Sequence, residues 1–294
     1  MMIYCGSRKF YNYLNISIIM VKIGVIGHTG RLGKPLVEIL RRHPYAELNY
    51  TESRTAGSHG TIKDTQLVFL ALPEGESETY LSKLEDKKII DLSNDHRCST
   101  GWVYGLPELH NTQITTTNRL ANPGCYATSI ILGLYPIKEQ VHNVNIASTS
   151  GISGAGISVQ KEDNFLVYNE GRRHKHIQEI EQTLNLEKIL FVPQRIDVAD
   201  KGIISTIFAE YNGTDNPEKI YKQFYSHTPF IRIVDHIETK NVNGTNFCDI
   251  KIIQYDNKII IISALDNIIK GGVGQAVQNF NLMYGFDETT GIIK

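Results

Sequence analysis

An α/β fold is predicted: a parallel-sheet domain followed by an α+β domain of mixed or antiparallel sheet. Three observations predict it. A short apolar strand, Lys22 to Ile26, runs into Gly27-His28-Thr29-Gly30-Arg31-Leu32-Gly33 and then a helical pattern of Leu36, Val37, Ile39 and Leu40. Thr65 to Pro73 is a continuous apolar run, as a parallel sheet requires when helices cover both faces. From Ile189 onward strands dominate and helices are few, the mark of a separate α+β unit.

Composition narrows the class. The chain has 294 residues, 41% of them hydrophobic, ample for one large or two ordinary cores. A net charge of −1 offers no basic excess for nucleic acid or anionic membrane. Cys5, Cys98, Cys125 and Cys248 lie far apart, with no C-x-x-C pair and no metal-finger spacing. A disulfide framework is therefore not expected, and a reducing cytoplasm is. No apolar run reaches the roughly 18 residues of a membrane-crossing helix. Residues 1–19 carry Arg8, Lys9 and only a short Ile16-Ser17-Ile18-Ile19 run, without the apolar core or cleavage site of a signal peptide. They read as a disordered leader or a start-site artefact ahead of Met20.

Taken in order, the first strand, glycine turn and helix form a dinucleotide site. The glycines let backbone approach a pyrophosphate, and the helix N-terminus supplies N–H groups and a favourable dipole. The spacing is G-x-x-G-x-x-G, making Gly27, Thr29, Gly30, Arg31, Leu32 and Gly33 the expected cofactor contacts. The helix ends near His43-Pro44, and a strand from about Ala46 to Thr51 runs into Glu52-Ser53-Arg54. An acidic residue there serves a ribose 2′-hydroxyl, whereas Arg favours the 2′-phosphate of NADP and holds it bidentately. Ser53 and Arg54 thus favour a Rossmann-like domain for NADP(H), with Glu52 the dissenting residue. Pro73 stops the next strand at the carboxyl edge of the sheet, where ligands bind in open α/β sheets. Ser77 to Leu84 reads as a short helix and Lys88 to Ser93 as a strand. Asn94-Asp95-His96-Arg97 is a polar loop at the same edge, and Trp102 to Leu109 reads as loop.

Leu120-Ala121-Asn122-Pro123-Gly124-Cys125 then forms a turn that delivers a cysteine to the start of a buried helix, Tyr126 to Leu134. Unpaired N–H groups and the positive end of the helix dipole would stabilise the thiolate there. A thiolate directly after a nucleotide-binding half is placed to work beside a nicotinamide ring. Val144 to Thr149 is strand-like, and Ser150 to Gly156 is a glycine-serine loop. Tyr168 to Ile180 carries Arg172, Arg173, His174 and His176, which are anion-binding and proton-transfer groups. The His-x-His spacing also suits a metal, but no carboxylate or cysteine lies at matching spacing, so no metal is expected. After a helix from Ile177 to Leu184 come strands at Ile189 to Val192, Ile203 to Tyr211, Ile231 to Ile233, Asp249 to Gln254 and Ile259 to Leu265. Asn216-Pro217-Glu218 caps the helix between them. Asp266 to Gly274 opens a last helix, with Ala276, Val277, Phe280 and Leu282 as its apolar face. That helix is expected to return to the nucleotide domain, giving 20–124 with 266–294 for the cofactor and 125–265 for catalysis and oligomerisation.

From Met20 to the C-terminus the chain resembles the N-acetyl-γ-glutamyl-phosphate reductase family of arginine biosynthesis. The likeness rests on Gly27 to Gly33, Ser53-Arg54-x-Ala56-Gly57, Tyr104-Gly105-Leu106-Pro107-Glu108 and the cysteine signature from Leu120 to Pro136. It rests also on Ser150 to Gly156, His174-Lys175-His176 with Glu179-Ile180, and Lys270-Gly271 through Gly274-Gln275-Ala276. The chain departs from the family at Ser129 (usually Gly or Ala), Lys175 (Arg), Gln178 (Pro) and Lys201 (Arg).

The resemblance implies that Cys125 attacks an acyl phosphate and that NADPH reduces the resulting thioester to an aldehyde. It implies His174 as acid/base, with His176 close behind, and Arg97, Arg172 and Arg173 as ligands of the phosphate and substrate carboxylate. A homodimer or homotetramer is expected, with a small-molecule substrate. An acyl phosphate borne on a small acidic carrier protein, as in some lysine pathways, is the alternative; it calls for a basic rim to which Arg172, Arg173 and Lys175 would contribute. An aspartate-semialdehyde dehydrogenase and a non-catalytic NADP(H) sensor are the remaining readings.

Overall fold

A computed structural model describes residues 20–154 and 163–292. The leader, Ala155 and Gly156 lie outside the described residues. Two seven-stranded sheets organise the chain.

The first sheet contains β1 (Val21–Ile26), β2 (Ala46–Ser53), β3 (Gly57–Gly60), β4 (Leu67–Leu70), β5 (Lys88–Asp91), β6 (Val103–Tyr104) and β7 (Arg119–Ala121). Its spatial order is β3-β2-β1-β4-β5-β7-β6, and every pairing is parallel except β2 with β3. All four residues of β4 are buried, as expected of a strand covered on both faces. Helices α1 (Gly33–Arg42), α2 (Glu78–Leu81) and α3 (Pro107–Thr116) connect these strands.

α4 (Cys125–Leu134) leads into the second sheet. That sheet holds β8 (Val141–Gly151), β9 (Phe165–Val167), β10 (Leu190–Ile196), β11 (Ile203–Tyr211), β12 (Ile231–Ile233), β13 (Cys248–Tyr255) and β14 (Lys258–Leu265). The order is β12-β13-β14-β11-β8-β10-β9, mixed, with β8–β10 and β12–β13 parallel. α4, α5 (His176–Leu184) and α6 (Pro217–Phe224) supply its helical cover. Residues 126–134 of α4 are all buried, and only Cys125 keeps partial access. Ser129 Oγ bonds the hydroxyls of Ser205 and Ser263 beneath α4, so this departure from the family faces the sheet rather than the site. On the opposite face Ile204, Thr206 and Phe208 pair with Ala264, Ile262 and Ile260, and much of that apolar row is half-buried or exposed.

α7 (Gly274–Met283) packs Phe280 against Phe69 and His43 of the first half. A π-helical turn, Ile269–Val273, precedes it.

Several elements differ from expectation. Trp102 to Leu109 holds β6 and the start of α3, because Pro107 at the first turn with Glu108 behind it starts a helix that the Thr- and Asn-rich run to Thr116 conceals. β7 occupies the residues just before the Asn122 turn, too short a strand to show a period. β3 pairs antiparallel with β2 at the sheet edge, in a glycine-bounded stretch to which the sequence assigns no element. β10 runs through Pro193, which interrupts the apolar alternation, and the helix expected from Ser77 to Leu84 is a single turn.

Candidate active site

The cofactor loop is built on close backbone packing. Gly27 has φ +87°, and a Cβ there would lie 2.2 Å from the Ala71 carbonyl oxygen. A Cβ on Gly33 would lie 2.1 Å from the Gly27 carbonyl oxygen. The Gly27 N–H donates to the Glu52 carbonyl at 2.7 Å, stitching the loop to β2. No side chain caps the N-terminus of α1, and His28 Nδ1 is buried without a partner. Free N–H groups and an orphaned polar atom at a glycine turn fit a pyrophosphate.

The geometry also resolves the NAD–NADP conflict. Glu52 accepts hydrogen bonds from the Tyr50 hydroxyl at 2.5 Å and the Tyr80 hydroxyl at 3.0 Å, so its carboxylate is taken up. Ser53 and the highly exposed Arg54 follow it, and Arg54 meets Glu76 at 3.2 Å. Thr29 bonds Thr55 across the loop mouth at 2.9 Å, and Pro73 lies just past β4. Leu32 packs against Gly272 of the π turn.

Cys125 occupies the first position of α4, as expected. Gly271 closes over it: a Cβ on Gly271 would lie 2.7 Å from the Cys125 Cβ. The expectation of a lowered thiol pKa is corrected. Burial pushes the Cys125 thiol up, while Arg97 and the N–H groups of Tyr126 and Cys125 pull it back. At this largely enclosed position the desolvation of a thiolate outweighs the helix terminus, and the resting group is a thiol.

Beside it lies a residue that sequence reasoning left without a role. Glu179 on α5 is 2% exposed. Its Oε1 meets Arg97 Nη1 at 3.1 Å, and its Oε2 accepts the Tyr104 hydroxyl at 2.7 Å and the Gly124 N–H at 3.1 Å. His176 Nε2 stands 3.8 Å from the same carboxylate. One side chain therefore ties the loop after β5, β6, the cysteine turn and α5 together. Gly124 has an ordinary φ of −73°, so its requirement is space: a Cβ would fall 2.4 Å from His176 Nε2 and 2.6 Å from Arg97 and from Glu179. The signal for Glu179 was an acidic residue one turn after His176, beside the apolar stripe Ile177, Ile180 and Leu184.

His174 and His176 pack edge to face at 4.6 Å, and both rings meet Tyr126. His174 Nδ1 accepts the His176 N–H at 3.2 Å, which places the ring proton on Nε2, an atom with no hydrogen-bond partner among the described residues. Burial, aided by Lys175 and Arg97, lowers the His174 pKa to about 4, and burial holds His176 well below 6.5. Both rings are neutral at pH 7. Above the unfolded value of 6.5 the folded and unfolded states are both neutral at His174, and its full contribution is present. As the pH falls from 6.5 toward 4 the unfolded chain takes the proton first, removing about 3 kcal/mol of stability. Urea unfolding at pH 7.5 and pH 4.5 is expected to show a larger acid loss in wild type than in His174→Gln, and equal losses would contradict this environment.

The arginines separate. Arg97 is enclosed: Nε donates to Asn122 O at 2.9 Å, Nη1 to Asn94 at 3.0 Å as well as to Glu179, and Nη2 to Leu92 O at 3.3 Å. Arg172 forks onto Glu181 at 2.6 and 2.9 Å, and Arg173 pairs with Glu170 at 3.3 Å, both at the surface. These last two, expected as substrate ligands, stand at the surface beside carboxylates of their own neighbourhood. Arg31 leaves the cofactor loop and donates from Nη2 to the Ile152 carbonyl at 3.0 Å.

Comparison with known proteins agrees with this geometry. The semialdehyde dehydrogenase dimerisation domain matches residues 125–267, and the semialdehyde dehydrogenase NAD binding domain matches residues 55–117. Proteins named N-acetyl-gamma-glutamyl-phosphate reductase are similar along nearly the whole chain. The one from Karelsulcia muelleri is 36% identical, over 93% of this chain and 98% of its own. That from Vesicomyosocius okutanii is 35% identical over 93% and 98%, and that from Archaeoglobus fulgidus 35% over 92% and 98%. Among solved structures, aspartate semialdehyde dehydrogenase II from Vibrio cholerae superposes with a TM-score of 0.73, covering 90% of this chain and 99% of its own at 16% identity, a likeness of fold.

Proposed function

Because the chain belongs to the N-acetyl-gamma-glutamyl-phosphate reductase family, we propose that it reduces N-acetyl-γ-glutamyl phosphate to N-acetylglutamate 5-semialdehyde with NADPH, through a thioester on Cys125. The observation that carries this reading is the placement of Cys125 at the first turn of α4, with the next residue, Tyr126, in ring contact with a neutral His174 whose Nε2 has no hydrogen-bond partner among the described residues. Bound NADPH would supply hydride; Gly27, Thr29, Gly30, Leu32, Gly33, Ser53, Arg54 and Pro73 would hold it, whereas Arg31 turns away to the Ile152 carbonyl. In this reading residues 20–124 with 266–294 form the cofactor domain, and 125–265 the catalytic and oligomerisation domain.

The chain's own groups do the rest. Cys125 Sγ forms the bond to the acyl carbon, and the thiol proton leaves with the departing phosphate oxygen. His174 Nε2–H donates to the acyl oxygen, where negative charge gathers on thiol attack and again on hydride arrival. Collapse of the thiohemiacetal oxyanion releases the aldehyde and leaves a thiolate on Cys125, which takes one proton from solvent to restore the resting thiol. Glu179 holds the Gly124 N–H, Arg97 and His176 so that this turn does not shift.

A row of half-buried Ile204, Ile260 and Ile262 with exposed Phe208 on β11 and β14 supports oligomerisation through the second sheet, as a homodimer or homotetramer. Among the described residues no helix is long and apolar enough to cross a membrane, which accords with a cytoplasmic enzyme. A carrier-borne substrate is not favoured: Arg172, Arg173 and Lys175, its prospective basic rim, are paired with Glu181, Glu170 and Glu74.

The test is the reverse reaction. With free N-acetylglutamate 5-semialdehyde, phosphate and NADP+, robust NADPH formation is expected without any carrier; turnover only with a carrier-bound aldehyde would overturn the reading.

A further inference from the structure

Of the arginines that the sequence assigns to the substrate, Arg97 is enclosed by Asn94, Leu92, Asn122 and Glu179, while Arg172 and Arg173 pair at the surface with Glu181 and Glu170; one that it assigns to the cofactor keeps a buried nitrogen unpaired. Arg31 spends Nη2 on the Ile152 carbonyl, yet its Nη1 is buried with no hydrogen-bond partner among the described residues. A buried guanidinium nitrogen left unpaired is costly, and such groups are found where a ligand completes them. Its place in the fold says which ligand. The neighbouring Leu32 packs on Gly272, and the adjacent Gly271 closes over Cys125. On the other side, Asp200 lies against the end of β8, where the Ser153 N–H donates to its carbonyl at 2.9 Å. Arg31 thus crosses from the cofactor loop to the second sheet beside the reacting thiol. Burial lowers its pKa, while the Asp200 carboxylate favours the charge.

We propose that Arg31 Nη1 receives the phosphoryl group of the acyl phosphate as Cys125 displaces it. A planar cation with free N–H donors matches a phosphate oxygen edge better than any other side chain. The step balances without an added reactant: the Sγ–C bond forms, the C–O bond to phosphorus breaks, and the thiol proton goes to the leaving oxygen. Nothing is oxidised or reduced. The proposal rests on the acyl-phosphate reading, and its ligand class, a phosphoryl anion, is shared with the cofactor's pyrophosphate.

The experiment separates these. Full-length wild type, Arg31→Lys and Arg31→Met are compared in the reverse reaction, with NADPH affinity measured in parallel by nucleotide fluorescence. The expected result is a rise of about tenfold or more in the KM for inorganic phosphate in Arg31→Met, a smaller rise in Arg31→Lys, and NADPH affinity within twofold of wild type. An unchanged phosphate KM overturns the proposal. So does an equal loss of NADPH affinity, which would assign Arg31 to the cofactor. A second readout does not need turnover: inorganic phosphate should slow iodoacetamide labelling of Cys125 in wild type and not in Arg31→Met. If wild type shows no reverse activity the substrate reading fails, while phosphate protection still decides the role of Arg31; equal labelling with and without phosphate in wild type overturns it.

Discussion

Cys125→Ala is expected to lower aldehyde formation by about ten-thousandfold or more while NADPH binds as in wild type. The side chain is the proposed nucleophile, and among the described residues it makes no hydrogen bond to the cofactor loop. Gly271 packs on its Cβ, which alanine keeps, so the π turn and the helix start have no reason to move. Nucleotide fluorescence measures the first half of this expectation and the reverse assay the second. Residual turnover near wild type would remove the thiol from the mechanism.

Glu179→Ala carries the second largest effect, and it acts on fold and rate together. The substitution leaves the Arg97 guanidinium without its carboxylate, and strips the Tyr104 hydroxyl and the Gly124 N–H of their acceptor inside a buried site. Breaking a buried pair on one side costs about 3–5 kcal/mol, which for a chain of this size lowers Tm by roughly 10 °C. Glu179→Gln keeps the shape and an acceptor oxygen but not the charge opposite Arg97, so a smaller fall in Tm is expected with kcat still reduced. Differential scanning calorimetry and the reverse assay measure both. A Glu179→Ala protein with unchanged Tm would show that Arg97 and Gly124 do not depend on this carboxylate.

Much of this site was legible in residue order, and what was not has physical causes. Strand, glycine turn and helix are local signals, and so is Asn122-Pro123-Gly124 ahead of an apolar helix; each element announces its own ends. The thiol pKa is set by how much water the fold removes, which no local signal contains, so the helix terminus alone pointed the wrong way. Glu52 looked available in sequence because its two partners, Tyr50 and Tyr80, come from different elements, one of them 28 residues away. Glu179 and Arg31 were hidden for the same reason: their meaning lies in Gly124, Arg97 and Ile152, distant in the chain. α3 escaped because its polar, β-branched run to Thr116 is a poor helix pattern held by packing of Ile114 in the core.

The central claim is that Cys125 carries the acyl group. Intact-protein mass spectrometry after mixing the enzyme with N-acetyl-γ-glutamyl phosphate in the absence of NADPH tests it most directly. The account predicts a single added N-acetylglutamyl mass that maps to Cys125, is absent in Cys125→Ala, and disappears when NADPH is added. An unmodified protein that nevertheless turns over, or an adduct on another residue, would contradict it.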